Sequence, residues 1–482
     1  MNRLLISAAH KSSGKTTLSI GLCAALTRRG LRVQPFKKGP DYIDPMWLGL
    51  ASRQPCYNLD FFLSPPREIR SDFIARSRGA GIAIVEGNKG LYDGLDLDGS
   101  NSNAALAKLL GAPVILVIDA RGMTRGVAPL ILGYQAFDRD IRIAGVILNQ
   151  LGGARHERKL RAVIEHYTDV PVVGAVHHND NLSIVERHLG LVPSNEASAA
   201  HEKIDAIAAV IENQVDLQKL IDISASAPSL EPGPEPIPPV PTDEKRKGNP
   251  VRIGVARDAA FAFYYPSDLE ALEKHGAQLA FFNTLRDEKL PEVDALFIGG
   301  GFPETQMAAL ESNHAMRGQI HAAIEAGMPV YAECGGLMYL SRSLTWNGKT
   351  CTMVGAIPAD TRMHDRPQGR GYVILRESGE SPWPLLAPTD SAVEIRAHEF
   401  HYSSLENVGN DLRYAYRVIR GTGIDGKHDG IVHRNVLACY THQRDTGNHH
   451  WTGQFVEFVR STRRTTRQAT HNADEISEGN SA

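Results

Sequence analysis

Three sets of residues have the types and spacing to do chemistry. The first is the run Ser7-Ala8-Ala9-His10-Lys11-Ser12-Ser13-Gly14-Lys15-Thr16-Thr17. A tight polar loop ending in Gly-Lys-Thr and opening a helix wraps a triphosphate with backbone N–H groups at the helix N-terminus. Lys15 would reach the outer phosphates and the Thr16 hydroxyl would sit on Mg²⁺, with Gly14 and Thr17 lining the nucleotide. The usual spacing places Gly at position 9, where this chain has Ala9. The second set is acidic. Asp41 and Asp44 follow Lys37 and Lys38, and Glu86 ends an apolar run, as the acid of a Walker-B strand does. These groups suit a metal, a phosphate and a carboxylate substrate. Gly39-Pro40 and Gly87 also allow the plainer reading of solvated turns. The third set is Ala332-Glu333-Cys334-Gly335-Gly336. A nucleophile type between small residues, where a strand meets a helix, is a nucleophile elbow, and a helix N-terminus favours the thiolate. A buried inert cysteine is the alternative.

These residues need elements to position them. Strands are expected at Leu4–Ser7, Val33–Phe36, Ile82–Val85, Val114–Ile118, Ala144–Leu148 and Val172–Val176, alternating with helices. That rhythm predicts a parallel sheet with helices on both faces and ligands at the strands' C-terminal ends. Asn149 ends the fifth strand, placed either to read an adenine edge or to cap the next turn. A second alternation begins at Val251–Val255, with strands at Leu279–Phe282, Ala295–Ile298 and Pro329–Tyr331. Gly299-Gly300-Gly301 offers free backbone N–H groups, and with Gly335 forms the expected oxyanion hole. A cysteine nucleophile needs a base. Of the C-terminal histidines, including His398 and His401, His442 ends the apolar run Val436–Thr441 and is preferred. The expected boundaries are 1–195 for the nucleotide domain, 196–224 for a helical extension, 225–250 for a Pro-rich semi-rigid linker, 251–460 for the cysteine domain, and 461–482 for a disordered tail. The length of 482 residues requires more than one core. Net charge of −3 gives no electrostatic case for nucleic acid or an anionic membrane, and no apolar run spans a bilayer. Five scattered cysteines without a CxxC pair, and a start without a signal peptide, lead to the expectation of a reduced, cytoplasmic protein.

The motifs Pro35-Phe36-Lys37-Lys38-Gly39-Pro40-Asp41-Tyr42-Ile43-Asp44-Pro45, Glu86-Gly87, Gly90-Leu91-Tyr92-Asp93-Gly94, Glu186-Arg187-His188-Leu189-Gly190-Leu191, Tyr331 to Tyr339 and His398-Glu399-Phe400-His401-Tyr402 closely resemble the cobyrinate a,c-diamide synthase family, in order and across both halves. The resemblance implies a dethiobiotin-synthetase-like P-loop domain followed by a class I glutamine amidotransferase-like α/β domain. It implies glutamine hydrolysis at Cys334 with His442 as its activator, and ammonia used where ATP activates a substrate carboxylate as an acyl phosphate. Gly14, Lys15, Thr16, Thr17 and Asn149 would hold ATP, and Thr16, Asp41 and Glu86 the Mg²⁺. Asp41 and Asp44 would serve the amidation, and Lys37, Lys38, Tyr42 and Asp93 the tetrapyrrole dicarboxylate. Related amidotransferases carry an acid two residues after the histidine; here that place holds Arg444, so His442 is expected to lack its orienting partner. The same scaffold works on hydrogenobyrinate, nickel-sirohydrochlorin and sirohaem, which stay open beside cobyrinate, as does a homodimer. The related cobyric acid synthases differ after the second strand. A P-loop ATPase switch is the reading of another class. Its signature lysine belongs at position 10, where this chain has His10, and a fused cysteine domain does not suit it.

Overall fold

The computed structural model describes residues 1–182, 199–231, 250–383 and 394–464, with a few positions between 183 and 198. The chain divides into two compact units, Met1–Pro236 and Ile237–Ala482. The Pro-rich stretch 232–249, the tail from 465, and His188-Leu189 lie outside the described residues. Residues 451–464 are helical, so the chain is still regular past position 461, where the disordered tail was expected to begin.

The first unit is built on a parallel seven-stranded sheet, ordered β3-β2-β4-β1-β5-β6-β7. The strands are β1 (Arg3–Ala8), β2 (Val33–Lys38), β3 (Tyr57–Leu59), β4 (Ile82–Glu86), β5 (Val114–Asp119), β6 (Ile143–Leu151) and β7 (Val172–His177). β1, β4 and β5 are buried along their whole length, as a sheet covered on both faces requires. All six expected strands are present; β3, only three residues long, carried too little periodicity to be read. Strand order does the functional work. β2, β4 and β1 are neighbours, so their C-terminal ends bring together Lys37, Glu86 and the loop before helix α1 (Lys15–Arg28). Helix α2 (Ile43–Ser52) follows β2 directly.

The second unit carries a nine-stranded sheet in two halves. Five parallel strands run in the order Ala277–Phe282, Val251–Ala256, Ala295–Ile298, Val330–Glu333 and Val436–Cys439. Four antiparallel strands extend it, His428–His433, Arg413–Arg420, Gly369–Glu377 and Glu394–His401. The antiparallel half, and a separate four-stranded sheet that includes Ser343–Trp346 and Asp360–Met363, were not foreseen from sequence. Their strands mix exposed and buried positions without strict alternation. The central strands obey a two-sided rule. Val330, Ala332, Val436 and Ala438 pack into one core, while Tyr331, Leu437 and Cys439 pack into the other with Trp383, Trp451 and Phe455.

Candidate active sites

The phosphate loop is shaped by its own backbone and one amide. Gly14 has φ +85°, a left-handed conformation that side chains disfavour, and it directly precedes α1. Asn149, from the end of β6, donates its amide N–H to the Ser13 carbonyl at 2.9 Å. A Cβ on Gly14 would stand 2.2 Å from that amide nitrogen. Asn149 therefore braces the loop itself. Lys15 is buried, and burial lowers its pKa against the raising pull of Glu86, Asp44 and Asp93. Thr16 and Thr17 form the first turn of α1.

The acidic residues converge on Lys37 and Thr16. The Thr16 hydroxyl lies 2.7 Å from Glu86 Oε1 and 3.2 Å from Asp44 Oδ2. Lys37 Nζ donates to Glu86 Oε1 at 2.9 Å and to Asp44 Oδ2, and lies 3.7 Å from Asp41 Oδ2. Burial would lower the Lys37 pKa, but Asp44, Glu86 and Asp41 outweigh it and hold it well above the ordinary value. Asp41 is differently engaged. Its Oδ1 accepts the backbone N–H groups of Ile43 (2.9 Å) and Asp44 (3.2 Å) at the start of α2. Burial, then the Asp44 charge, push its carboxyl up to about 7. The resemblance gives the metal to Asp41; in the structure Asp44 lies beside Thr16, while Asp41, just before α2, accepts that helix's first N–H groups. The physical reason is that α2 starts between the two residues and turns them apart. Lys38 donates to the Asn88 side chain at 3.2 Å and burial pulls it down to about 8. Tyr42 is buried at the start of α2, and Asp93 accepts the Gly90 N–H at 2.9 Å, fixing the glycine-rich turn after β4.

In the second unit the strand Val330–Glu333 ends at Cys334, whose φ of +47° and ψ of −100° are strained for a side chain, and the helix Gly335–Leu340 follows. This is the geometry of a nucleophile elbow. The Cys334 thiol is close enough to His442 to raise the imidazole's pKa, and His442 lies three residues beyond the neighbouring strand Val436–Cys439. Backbone bonds join His442 to His398 in both directions, and their rings stack at 4.9 Å. His398 faces the Tyr265 hydroxyl at 3.4 Å, whereas His401 bonds the Ser403 carbonyl and stacks on Tyr440, so of the three histidines it is His442 that reaches the thiol. Gly300 and Gly301 form a short strand against Phe261–Phe263. A Cβ on Gly300 would stand 2.6 Å from His442 Cε1, so only glycine fits there. The Gly301 nitrogen lies 3.1 Å from where a Cβ on Gly335 would be, bringing the three expected oxyanion-hole glycines to one place.

Family models match both units. Residues 5–192 match the CobQ/CobB/MinD/ParA nucleotide binding domain, and residues 252–447 match the CobB/CobQ-like glutamine amidotransferase domain. A cobyrinate a,c-diamide synthase of Magnetococcus marinus is 47% identical over 458 residues, 95% of this chain and 97% of that protein. One of Archaeoglobus fulgidus is 43% identical over 441 residues, 91% of this chain and 93% of its own. The chain belongs to the cobyrinate a,c-diamide synthase family.

For this member of the cobyrinate a,c-diamide synthase family the expectation about the histidine's partner is corrected. Arg444 does stand two residues after His442, its guanidinium 5.3 Å from the Tyr265 ring. His442 nevertheless faces an acid. Its Nδ1 lies 3.3 Å from Glu333 Oε2, and both side chains are buried. Sequence reasoning passed over Glu333 because it is the immediate neighbour of the nucleophile and was read as part of the elbow. A signal was present, since an ionisable residue at the end of a buried strand needs a partner. At the other site, Glu86 Oε2 is fully buried with no hydrogen-bond partner, beside the Thr16 hydroxyl. Such an oxygen suits a hard divalent cation. Among the described residues no set of three acidic, histidine or cysteine side chains makes a metal cage. Two carboxylates suffice for Mg²⁺, which takes the rest of its shell from phosphates and water. No helix among the described residues is long and apolar enough to cross a membrane.

Proposed function

We propose that the protein amidates the a and c acetate carboxylates of cobyrinate, with glutamine as nitrogen donor and ATP as activator. The observation that carries this reading is the presence in one chain of a phosphate loop ringed by Thr16, Asp44 and Glu86 and of a Cys334–His442 elbow. Family membership supports the substrate.

At the elbow, the Cys334 sulfur attacks the glutamine carboxamide carbon, and His442 takes the thiol proton and returns it to the departing nitrogen. Gly300, Gly301 and Gly335 supply backbone N–H groups for the developing oxyanion. Ammonia and, after thioester hydrolysis, glutamate are released. In the first unit Gly14 and Lys15 hold the ATP phosphates. Thr16, Asp44 and Glu86 would hold Mg²⁺, which would supply positive charge against the phosphates. Lys37 and Lys38, at the end of β2 and near the phosphate loop, would supply positive charge where a substrate carboxylate meets the γ-phosphate. The carboxylate becomes an acyl phosphate, and ammonia displaces phosphate to leave an amide. Tyr42 and Asp93, in the loops after β2 and β4, would contact the tetrapyrrole. Five unpaired cysteines among the described residues suit a reducing cytoplasm.

The test is a product assay on the purified protein with ATP, Mg²⁺ and either glutamine or ammonia. Cobyrinate, hydrogenobyrinate, sirohaem and nickel-sirohydrochlorin are compared by mass spectrometry. Cobyrinate is expected to gain two amides with either nitrogen source. Cys334→Ala should lose the glutamine-driven reaction and keep the ammonia-driven one, while Lys15→Ala should lose both. Preferential conversion of another macrocycle would overturn the substrate, and full amidation by Lys15→Ala would overturn the phosphate-loop assignment.

A further inference from the structure

We propose that Glu333, the residue immediately before the nucleophile, is the positioning acid of His442, replacing the acid that related amidotransferases place two residues after the histidine. The inference rests on the reading of Cys334 as a glutamine-hydrolysing nucleophile.

The geometry is that of a carboxylate held in place to hold something else. Glu333 Oε2 faces His442 Nδ1 at 3.3 Å. Its other oxygen, Oε1, accepts the Tyr331 hydroxyl at 2.6 Å and the Gln443 backbone N–H at 3.0 Å. Tyr331 is itself immobilised, fully buried and packed against Phe297, Trp383 and Trp451. The clamp therefore comes from two directions: the residue two positions earlier on the same strand face, and the residue directly after His442. Strand alternation explains the first. Tyr331 and Glu333 point to one side of the sheet, and the chain twists at Cys334 so that the thiol leaves the strand's own pattern. Register explains the second. Glu333 pairs with Cys439, and three more residues bring the partner strand's chain to His442.

The groups facing the imidazole are Cys334, Glu333, His398 and, near His398, Arg444. Burial, then the charges of His442 and Arg444, hold His398 well below its ordinary value, so it stays neutral. Glu333 is then the acid that faces the ring. A carboxylate at Nδ1 keeps the proton there, leaves Nε2 to accept the thiol proton, and stabilises the imidazolium that results. Consistent with this, the bonds to Cys334 and Glu333 outweigh burial and raise His442 to about 10. With His442 raised to about 10, the thiol proton already rests on Nε2 when the sulfur attacks and the S–C bond forms; it passes from Nε2 to the departing nitrogen as the C–N bond breaks.

Glu333→Gln separates positioning from mere support. The amide oxygen can still accept from Tyr331 and Gln443, but the atom facing His442 becomes an N–H₂ donor and selects the wrong tautomer. Glutamine hydrolysis by the full-length protein, measured against pH, should show kcat reduced by roughly 10²- to 10⁴-fold. KM for glutamine should stay near its original value, and the alkaline limb should move to lower pH. Ammonia-driven amidation reports that the chain is folded. Glu333→Asp should recover part of kcat, and Tyr331→Phe, which leaves the acid but loosens it, should cost less than Glu333→Gln. An unchanged kcat and alkaline limb in Glu333→Gln would overturn the proposal. So would an equal loss of ammonia-driven amidation, which would mark Glu333 as structural support only. Absence of glutamine hydrolysis in the unaltered protein would instead overturn the function proposed above.

Discussion

Asp41 and Asp44 are three positions apart, yet they occupy different electrostatic roles. Asp44 shares Thr16 with Glu86, and Asp41 anchors the first turn of α2. Removing one anionic ligand weakens a cation that has few protein ligands. Asp44→Asn should therefore raise the Mg²⁺ concentration for half-maximal amidation, while Asp41→Asn should lower the rate with a smaller change in Mg²⁺ dependence. A Mg²⁺ titration of both variants checks this, and the reverse order would return the metal to Asp41. His442 makes a second statement at this scale. Its folded pKa of about 10 lies above the ordinary 6.5, so the stabilisation it contributes is complete below pH 6.5 and is lost as pH rises through 10. Thermal unfolding followed from pH 6.5 to 10 should show the unit Ile237–Ala482 losing stability. In His442→Ala that decline should be shallower.

At the scale of elements, the amidotransferase site depends on how closely backbone approaches side chain. The two-residue strand Gly300–Gly301 lies against His442, and a Cβ on Gly300 would meet the imidazole at 2.6 Å. The ring is held on its other sides by His398 and Glu333 and cannot retreat without breaking a bond. Gly300→Ala should thus displace the imidazole, and a displacement of about 1 Å can cost about 10²-fold in rate. Glutamine hydrolysis should fall steeply, with ammonia-driven amidation retained. An unaffected glutaminase rate would show that the ring has room the packing does not suggest. The strand that delivers His442 is also anchored. The fully buried Asp429 accepts the N–H groups of Tyr440 and Thr441, both at 3.0 Å, and the Thr441 hydroxyl at 2.6 Å.

At the scale of the whole molecule, each unit has its own core: one around β1, β4, β5 and β6, the others on the two faces of the nine-stranded sheet. Units with separate cores unfold with separate transitions. A ligand that binds only the native first unit stabilises that unit by mass action, by about 2.7 kcal/mol at one hundred times its Kd. Calorimetry with Mg²⁺ and a non-hydrolysable ATP analogue should raise one transition and leave the other in place. Lys15→Ala should abolish the shift. A single transition, or equal shifts in both, would show that the units unfold together.

Much of this was legible in the chain because local patterns carried it. The six apolar runs before residue 177, the Gly14-Lys15-Thr16 loop after the first, and Cys334 between a strand and two glycines are short-range signals. Their physics is local too: φ freedom at Gly14, and a strand passing straight into a helix at Cys334. His442 was found from the apolar strand it ends. Tertiary structure decided what depends on which strands lie side by side. The sequence by itself placed Glu333 beside Cys334; only the pairing of Val330–Glu333 with Val436–Cys439 turned it toward His442. Likewise the start of α2, not the spacing of Asp41 and Asp44, decided which aspartate meets Thr16. Asn149 reads as an adenine contact or a turn cap in the chain. The order β1-β5-β6 at the sheet's centre brings it against Ser13, 136 residues away, where its amide holds the phosphate loop.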